Sequence, residues 1–193
     1  MAYRNYSTAT SHIVEPNGQG DFTTIQAAVT AASAGDTIFV MDGSYTEDVT
    51  CKADVNITSY GDAGANGNVL ITGKFTFTAT GHVLLSNLRL TTNSDYILEV
   101  TGANDSNVTM IGCRLNMTDN TGINMTSTGT SQILCIDCRG DLSDATGTCF
   151  TVSGGGNIVL QNCFIENSGN STTASTIDAG LCSIRQGRFR CAN

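Results

Sequence analysis

The fold is decided by an eight-residue pattern that returns every 25 residues. Residues 83–90 read VLLSNLRL, and the pattern recurs as VTMIGCRL at 108–115, ILCIDCRG at 133–140 and IVLQNCFI at 158–165. A fainter copy, SIRQGRF, begins at Ser183. Self-similarity at a fixed period of this length is typical of solenoids, in which every repeat forms one coil and stacks on its neighbours.

Apolar residues alternate along the pattern, which is the period of a β-strand with one buried face. The inward columns are Val83, Val108, Ile133, Ile158; then Leu85, Met110, Cys135, Leu160; then Leu88, Cys113, Cys138, Cys163. The third column comes three residues after the second, so the alternation slips. At the slip stand residue types that tolerate a left-handed backbone: Asn87, Gly112, Asp137, Asn162 and Gly187. This predicts a strand, a one-residue corner and a second strand.

Another strand recurs between these segments, as YILEVTG from Tyr96, GINMTSTG from Gly122, TCFTVSG from Thr148 and STIDAG from Ser175. Each coil of about 25 residues therefore holds about three strands and buries its apolar face only when stacked. The sequence predicts an all-β, right-handed parallel β-helix of about six coils. We expect one domain over 1–193, with an arm and capping helix at 1–35 and coils over 36–193.

The predicted capping helix lies before the first coil. Thr23-Thr24-Ile25-Gln26 has the capping-box pattern, and Ile25, Ala28, Val29 and Ala32 form one apolar stripe. A helix here would cover the N-terminal rung of the solenoid. The C-terminus shows no similar cap. We expect its open rung to stack on another copy of the chain or on another subunit of an assembly.

Residues 14–49 carry the family resemblance, chiefly through GDFTTIQ at 20–26 and GSYTE at 43–47. This opening resembles that of pectinesterases and related pectin-lyase-like β-helix proteins, and it is similar to the start of phage tail and virion β-helix proteins. The resemblance implies the fold. The paired-aspartate motifs of pectinesterases do not occur, there is no Trp, and Asn93-Ser94-Asp95 is a lone partial match to polygalacturonases. The sequence therefore favours a protein that is not an enzyme.

Composition excludes some partners. The chain has 9 Lys and Arg against 17 Asp and Glu, a formal net charge of −8, so it lacks the basic footprint of a nucleic-acid binder. No apolar stretch is long enough to span a bilayer. The polar first ten residues lack the apolar core of a secretory signal. We expect a virion or an extracellular assembly, made in a cytoplasm.

Two outward groups are candidate site residues. Arg89, Arg114 and Arg139 form one column, which invites an anionic partner such as a sugar acid or another subunit. The alternative is a solvated ladder crossed by Asp137 and Asp141.

Asp141 and Glu166 share a column one coil apart, so their carboxylates can approach within about 5 Å. Such a pair can perform acid–base chemistry or bind a cation. The alternative is that both pair with the neighbouring arginines.

The cysteines and histidines predict no metal site, cofactor or catalytic residue. Cys113, Cys138 and Cys163 form an inward column, and only one C-x-x-C occurs, Cys135 to Cys138. A zinc site would need two ligand pairs, so we expect reduced, buried thiols. His12 and His82 lie far apart in the repeat.

The favoured hypothesis is a non-enzymatic structural or attachment component of a larger assembly, such as a phage virion or tail or a surface filament. The alternative is a carbohydrate-active enzyme or polysaccharide-binding module of the pectin-lyase-like class. A fragment of a longer spike is a third interpretation.

Overall fold

The computed structural model describes residues 9–61, 68–92, 96–101, 105–118, 121–127, 130–143, 148–167, 175–177, 181–185 and 188–191. It is a parallel β-helix of about six turns, spaced about 25 residues apart. One short helix lies among the described elements. The predicted fold class is confirmed.

The elements of the arm and of the first three coils, in chain order, are β1 (Ser11–Val14), α1 (Ile25–Ala31), β2 (Thr37–Val40), β3 (Gly43–Thr46), β4 (Val49–Thr50), β5 (Asn56–Ser59), β6 (Val69–Thr72), β7 (Phe75–Phe77), β8 (Gly81–Ser86), β9 (Arg89–Thr91) and β10 (Leu98–Val100). The later elements are β11 (Ser106–Ile111), β12 (Arg114–Met117), β13 (Thr121–Met125), β14 (Gln132–Ile136), β15 (Arg139–Leu142), β16 (Thr148–Val152), β17 (Asn157–Gln161), β18 (Phe164–Asn167), β19 (Ser175–Ile177), β20 (Leu181–Arg185) and β21 (Arg188–Cys191).

The strands form three parallel sheets, and each full coil gives one strand to each sheet. Sheet A has the order β1-β2-β5-β8-β11-β14-β17-β20, sheet B the order β3-β6-β9-β12-β15-β18-β21, and sheet C the order β4-β7-β10-β13-β16-β19. Strands that follow one another in the chain therefore lie in different sheets. A side chain repeated every 25 residues stacks on its equivalents in the neighbouring coils.

The predicted corners between sheets A and B have left-handed backbone. The φ angles are 55° at Asn87, 61° at Gly112, 53° at Asp137 and 52° at Asn162. Gly187, the fifth predicted corner, lies outside the described residues. The Asn162 side-chain amide donates a hydrogen bond to the Asp137 carboxylate, which ties two corners together.

The core consists of the inward columns of the three sheets. Phe75, Phe77 and Phe150 are fully buried, as their strand positions predict. The six cysteines whose side chains are described are buried thiols outside any disulfide, and Cys163 Sγ donates to the Cys135 carbonyl oxygen at 3.3 Å. A hydrogen bond with the Cys138 thiol, and then burial, raises the pKa of both Cys135 and Cys163. Because the thiolate is the reactive form, these thiols serve as packing groups.

Helix α1 packs Ile25, Ala28 and Val29 of its predicted stripe into the core at the start of the solenoid, and Ala32, the fourth residue of the stripe, is buried at the C-cap. The predicted capping box is wrong. Thr24 is the N-cap, with its hydroxyl accepting from the Ala27 N–H, and the Gln26 side chain instead accepts from the Thr50 N–H at 2.7 Å.

The first two N–H groups of α1 are satisfied from a distant part of the chain. The Glu47 carboxylate accepts from the Ile25 N–H at 2.8 Å and from the Gln26 N–H at 2.9 Å. Tyr45 donates its hydroxyl proton towards the Met41 and Val14 carbonyl oxygens, at 2.9 and 3.2 Å. The motif GSYTE at 43–47 thus acts here as a clamp between the arm, the helix and the first coil.

The arm also contributes β1, which pairs with β2 and which the repeat did not predict. Within the described ranges, no helix has the length and apolar character needed to cross a bilayer.

Candidate functional site

The arginine column lies on the outer face of sheet B. Arg89 of β9 pairs in register with Arg114 of β12, which pairs with Arg139 of β15. Neighbouring parallel strands are about 4.8 Å apart, so the three side chains start at regular steps along the solenoid axis. Phe164 of β18 is the next residue in this column.

The acidic pair lies on the same face, two residues further along the strands. Asp141 of β15 pairs directly with Glu166 of β18, and Asn116 of β12 precedes Asp141 in this column. Alternate residues of a strand point to the same side of a sheet, so the cationic and the acidic columns run side by side. The sequence predicts each column, and the structure brings them together.

Between the two columns is an open groove with a volume of about 240 Å³. Its lining includes two residues of the arginine column, both residues of the acidic pair and one aromatic side chain. The lining residues are Arg114, Leu115, Arg139, Gly140, Asp141, Phe164 and Glu166. We call this site the sheet B groove. Arg89 belongs to the arginine column but does not line the groove.

Phe164 is the groove residue that sequence reasoning missed. It is 37% exposed, although most large apolar side chains of the described chain are buried. The available signal was its position, because it stands one period after Arg139 in an outward column. An exposed aromatic ring beside hydrogen-bonding groups is the usual means of packing against the apolar face of a sugar.

The histidines lie away from this groove. His12 Nε2 is 3.1 Å from the Asp36 carboxylate at the start of the solenoid, and His82 Nε2 is 2.9 Å from the Thr109 hydroxyl on sheet A. In the part of the chain that the structure describes, no three His, Cys, Asp or Glu side chains form a group able to hold a metal ion.

Comparisons with known proteins give matches at the level of structure. No protein-family model matches the chain, and no curated protein matches it in sequence. A pectin methylesterase from carrot matches with a TM-score of 0.64 at 19% identity, covering 94% of this chain and 63% of the enzyme. A pectin methylesterase mutant in complex with a hexasaccharide matches with a TM-score of 0.68 at 16% identity, covering 97% of this chain and 68% of that chain.

The protein is therefore a parallel β-helix protein with the pectin-lyase-like fold. At these identities the likeness shows the fold alone. The chain spans less than two thirds of the length of the carrot enzyme.

The expectation of a non-enzymatic phage virion, tail or surface-filament component is wrong. The matching solved structures are carbohydrate-active enzymes, and this finding favours the carbohydrate-related alternative. The opening at residues 14–49 indicated the fold, and one fold hosts many functions, so the resemblance to virion proteins had no bearing on activity.

Proposed function

We propose that the protein binds an acidic polysaccharide in the sheet B groove. The observation that carries this proposal is the shared position of Arg114, Arg139 and Phe164, which line one open groove in a single in-register column. The fold shared with two pectin methylesterases, one of them in complex with a hexasaccharide, supports a carbohydrate as the ligand.

The groove suits a sugar that carries a carboxylate on one edge and hydroxyl groups on another. Guanidinium groups bind carboxylates with two parallel hydrogen bonds, which the ammonium group of lysine cannot do. The Asp141 and Glu166 carboxylates accept hydrogen bonds and suit sugar hydroxyl groups. Phe164 offers an apolar surface for the sugar ring.

Two charge columns side by side also favour one orientation of the ligand. A neutral glycan would use only the hydroxyl contacts, whereas a uronate chain would use both columns. Regular steps of about 4.8 Å between the arginines suit a polymer lying along the solenoid axis. Binding therefore gains from several weak contacts made at once.

The acidic pair raises the question of whether the protein also converts a bound sugar into a product. Asp141 and Glu166 are adjacent in the groove, which is where a pair of carboxylates would act on a bound sugar. The paired-aspartate motifs of pectinesterases are absent from the sequence. The proposal is therefore binding, with the two carboxylates as hydrogen-bond acceptors, and turnover is measured in the same experiment.

The experiment is titration calorimetry with polygalacturonate and with a neutral glucan. We expect the wild-type protein to bind polygalacturonate and not the glucan. The double variant Arg114→Gln, Arg139→Gln should bind at least about tenfold more weakly, because two charge-assisted contacts are removed. Lys74→Gln is the control: it removes one cation that pairs with Glu99 on sheet C, at 2.9 Å, and should bind as the wild type does.

Two results would overturn the proposal: no binding of either polymer, or equal loss of binding in the groove variant and in Lys74→Gln. Methanol is assayed with methyl-esterified pectin and reducing ends with polygalacturonate, with Asp141→Asn as the comparison in both. Product formed by the wild-type protein and lost in Asp141→Asn would replace binding with catalysis at the same groove.

A further inference from the structure

Sheet A has an outer face unlike those of the other two sheets. Its first seven strands, from β1 to β17, contain no Asp, Glu, Lys or Arg. The outer face of sheet B carries the two charge columns. The outward positions of sheet C that the structure describes hold Thr50, Thr76, Glu99, Asn124 and Thr151. A chain of net charge −8 thus keeps the strands of one large face free of Asp, Glu, Lys and Arg.

The outer face of sheet A also carries large apolar side chains among uncharged polar ones. Along its strands, the outward positions include seven large hydrophobic residues: Ile13, Phe39, Leu84, Ile111, Leu134, Ile136 and Val159. Ile13 is 37% and Ile111 is 36% exposed. Tyr60, just after β5, is 56% exposed and packs edge-on against Phe39, with ring centroids 5.9 Å apart.

These residues form a continuous surface because the strands are in register. Leu84, Thr109, Leu134 and Val159 stand in one column, and Ile111 stands beside Ile136 in the next. Along one side runs a polar column of His82, Asn107, Gln132 and Asn157. An apolar centre with a polar rim is the anatomy of a protein–protein interface.

We propose that a second copy of this chain covers the sheet A outer face, giving a two-fold symmetric dimer. Two copies of a protein with net charge −8 repel each other, and the strands of this face bring no Asp, Glu, Lys or Arg side chain against its own copy. A flat sheet face is also self-complementary, as a two-fold interface requires. Either of the other two faces would bring carboxylates or guanidinium groups against their own copies.

The area of the face sets the expected affinity. Seven strands at about 4.8 Å and about five residues of each strand at about 3.3 Å give a face of about 34 by 17 Å. Two such faces bury about 1,200 Å² in total, which is the lower end of specific interfaces. We therefore expect a dimer that dissociates on dilution. The groove of sheet B stays open in this dimer, so the proposal is independent of polysaccharide binding.

The test is analytical ultracentrifugation over a wide range of concentrations. We expect a reversible monomer–dimer equilibrium for the wild type, and monomer alone for Leu134→Glu, which places a charge at the centre of the face. Thr151→Glu is the matched control, because it adds the same charge on the outer face of sheet C and should leave the dimer intact. Leu134→Ser is measured as well, in case the glutamate prevents folding, and should weaken the dimer at least about tenfold.

A wild-type protein that stays monomeric at every concentration would overturn the proposal. So would a dimer that Leu134→Glu and Leu134→Ser leave unchanged. The latter outcome would favour the C-terminal rung, the interface expected from the sequence. That interface stays a prediction, since side chains of its strands β19 and β21 lie outside the described residues. Loss of dimerisation with polygalacturonate binding retained would confirm that the two surfaces act separately.

Discussion

Phe164 stands directly beside Arg139 on neighbouring parallel strands, so the arginine column of sheet B continues into an exposed aromatic ring. The ring and the guanidinium groups belong to successive copies of one repeat position. A solenoid can thus build an extended binding surface by changing residue type along a single outward column, while the inward columns keep the core intact.

Replacing Phe164 by Ala should weaken polygalacturonate binding about fivefold to tenfold, because an aromatic contact with a sugar contributes about 1 kcal/mol. Isothermal titration calorimetry measures the effect. Tyr60→Ala is the control, since Tyr60 is more exposed but lies beside sheet A, and it should bind as the wild type does. Equal weakening by both substitutions would argue against a role for this ring in the groove.

Glu47 offers a test of the N-terminal clamp. Glu47→Gln should lower the free energy of unfolding by about 1–3 kcal/mol, because the carboxylate holds the two N–H groups that begin α1. Chemical denaturation measures the change. The control is Asp42→Asn, which removes the same charge from an exposed residue bonded to the Asn68 side chain and should change stability by less than about 0.5 kcal/mol. An equally small effect at Glu47 would contradict the clamp.

The clamp also shows where sequence reasoning stopped. The stripe of α1 follows from local periodicity and was predicted, but Glu47 is 22 residues from Ile25, and no local pattern links them. The same limit applies to β1, which has four residues and no copy in the repeat. Contacts made across coils outside the repeat depend on the folded geometry alone.

The repeat was informative because it fixes which side chains stack on one another and whether each points into the core or outward. Val83, Val108 and Ile133 could be placed inward because period-two alternation assigns each residue to a face. Phe164 occupies the next position of the arginine column but is not an arginine. Its place in the groove therefore follows only from the strand register. Function was the weakest inference, since the columns that specify a β-helix are its core and corners.

The corner residues allow a test of backbone strain. The difference in stability between a Gly and an Ala variant should have opposite signs at a corner and in a strand. Asn162 has φ of 52°, where Ala costs about 1 kcal/mol and Gly does not. Asn162→Gly should therefore be more stable than Asn162→Ala by about 1 kcal/mol. At Ser86, the last residue of strand β8, the order should reverse, with Ala more stable than Gly by about 0.5–1 kcal/mol. Denaturation of the four variants measures both differences, and the same order at both sites would contradict the left-handed corner.

Asp36 should make stability depend on pH at the start of the solenoid. The residue is 5% exposed, and its carboxylate accepts hydrogen bonds from the Ser33 N–H at 2.8 Å and the Thr10 N–H at 2.7 Å, with His12 Nε2 at 3.1 Å. These backbone donors, and then His12, lower the pKa of Asp36 from 3.8 to about 2. The ionised form is thus favoured by folding. Its contribution is fully present above the ordinary pKa of 3.8 and is lost as the pH falls towards about 2.

Asp36→Asn should therefore destabilise the protein at neutral pH and flatten the fall in unfolding free energy between about pH 4 and pH 2. Denaturant titrations across that range measure both effects, and hydrogen exchange at the Thr10 and Ser33 amides reports the local loss of the two bonds. Asp42→Asn is again the matched control, because Asp42 accepts only a side-chain amide in the described structure and is exposed. Parallel pH curves for the wild type and Asp36→Asn would show that this carboxylate contributes nothing to acid sensitivity. Faster exchange confined to residues 10–36 in the variant would locate the lost stability in the arm and helix that precede the first coil.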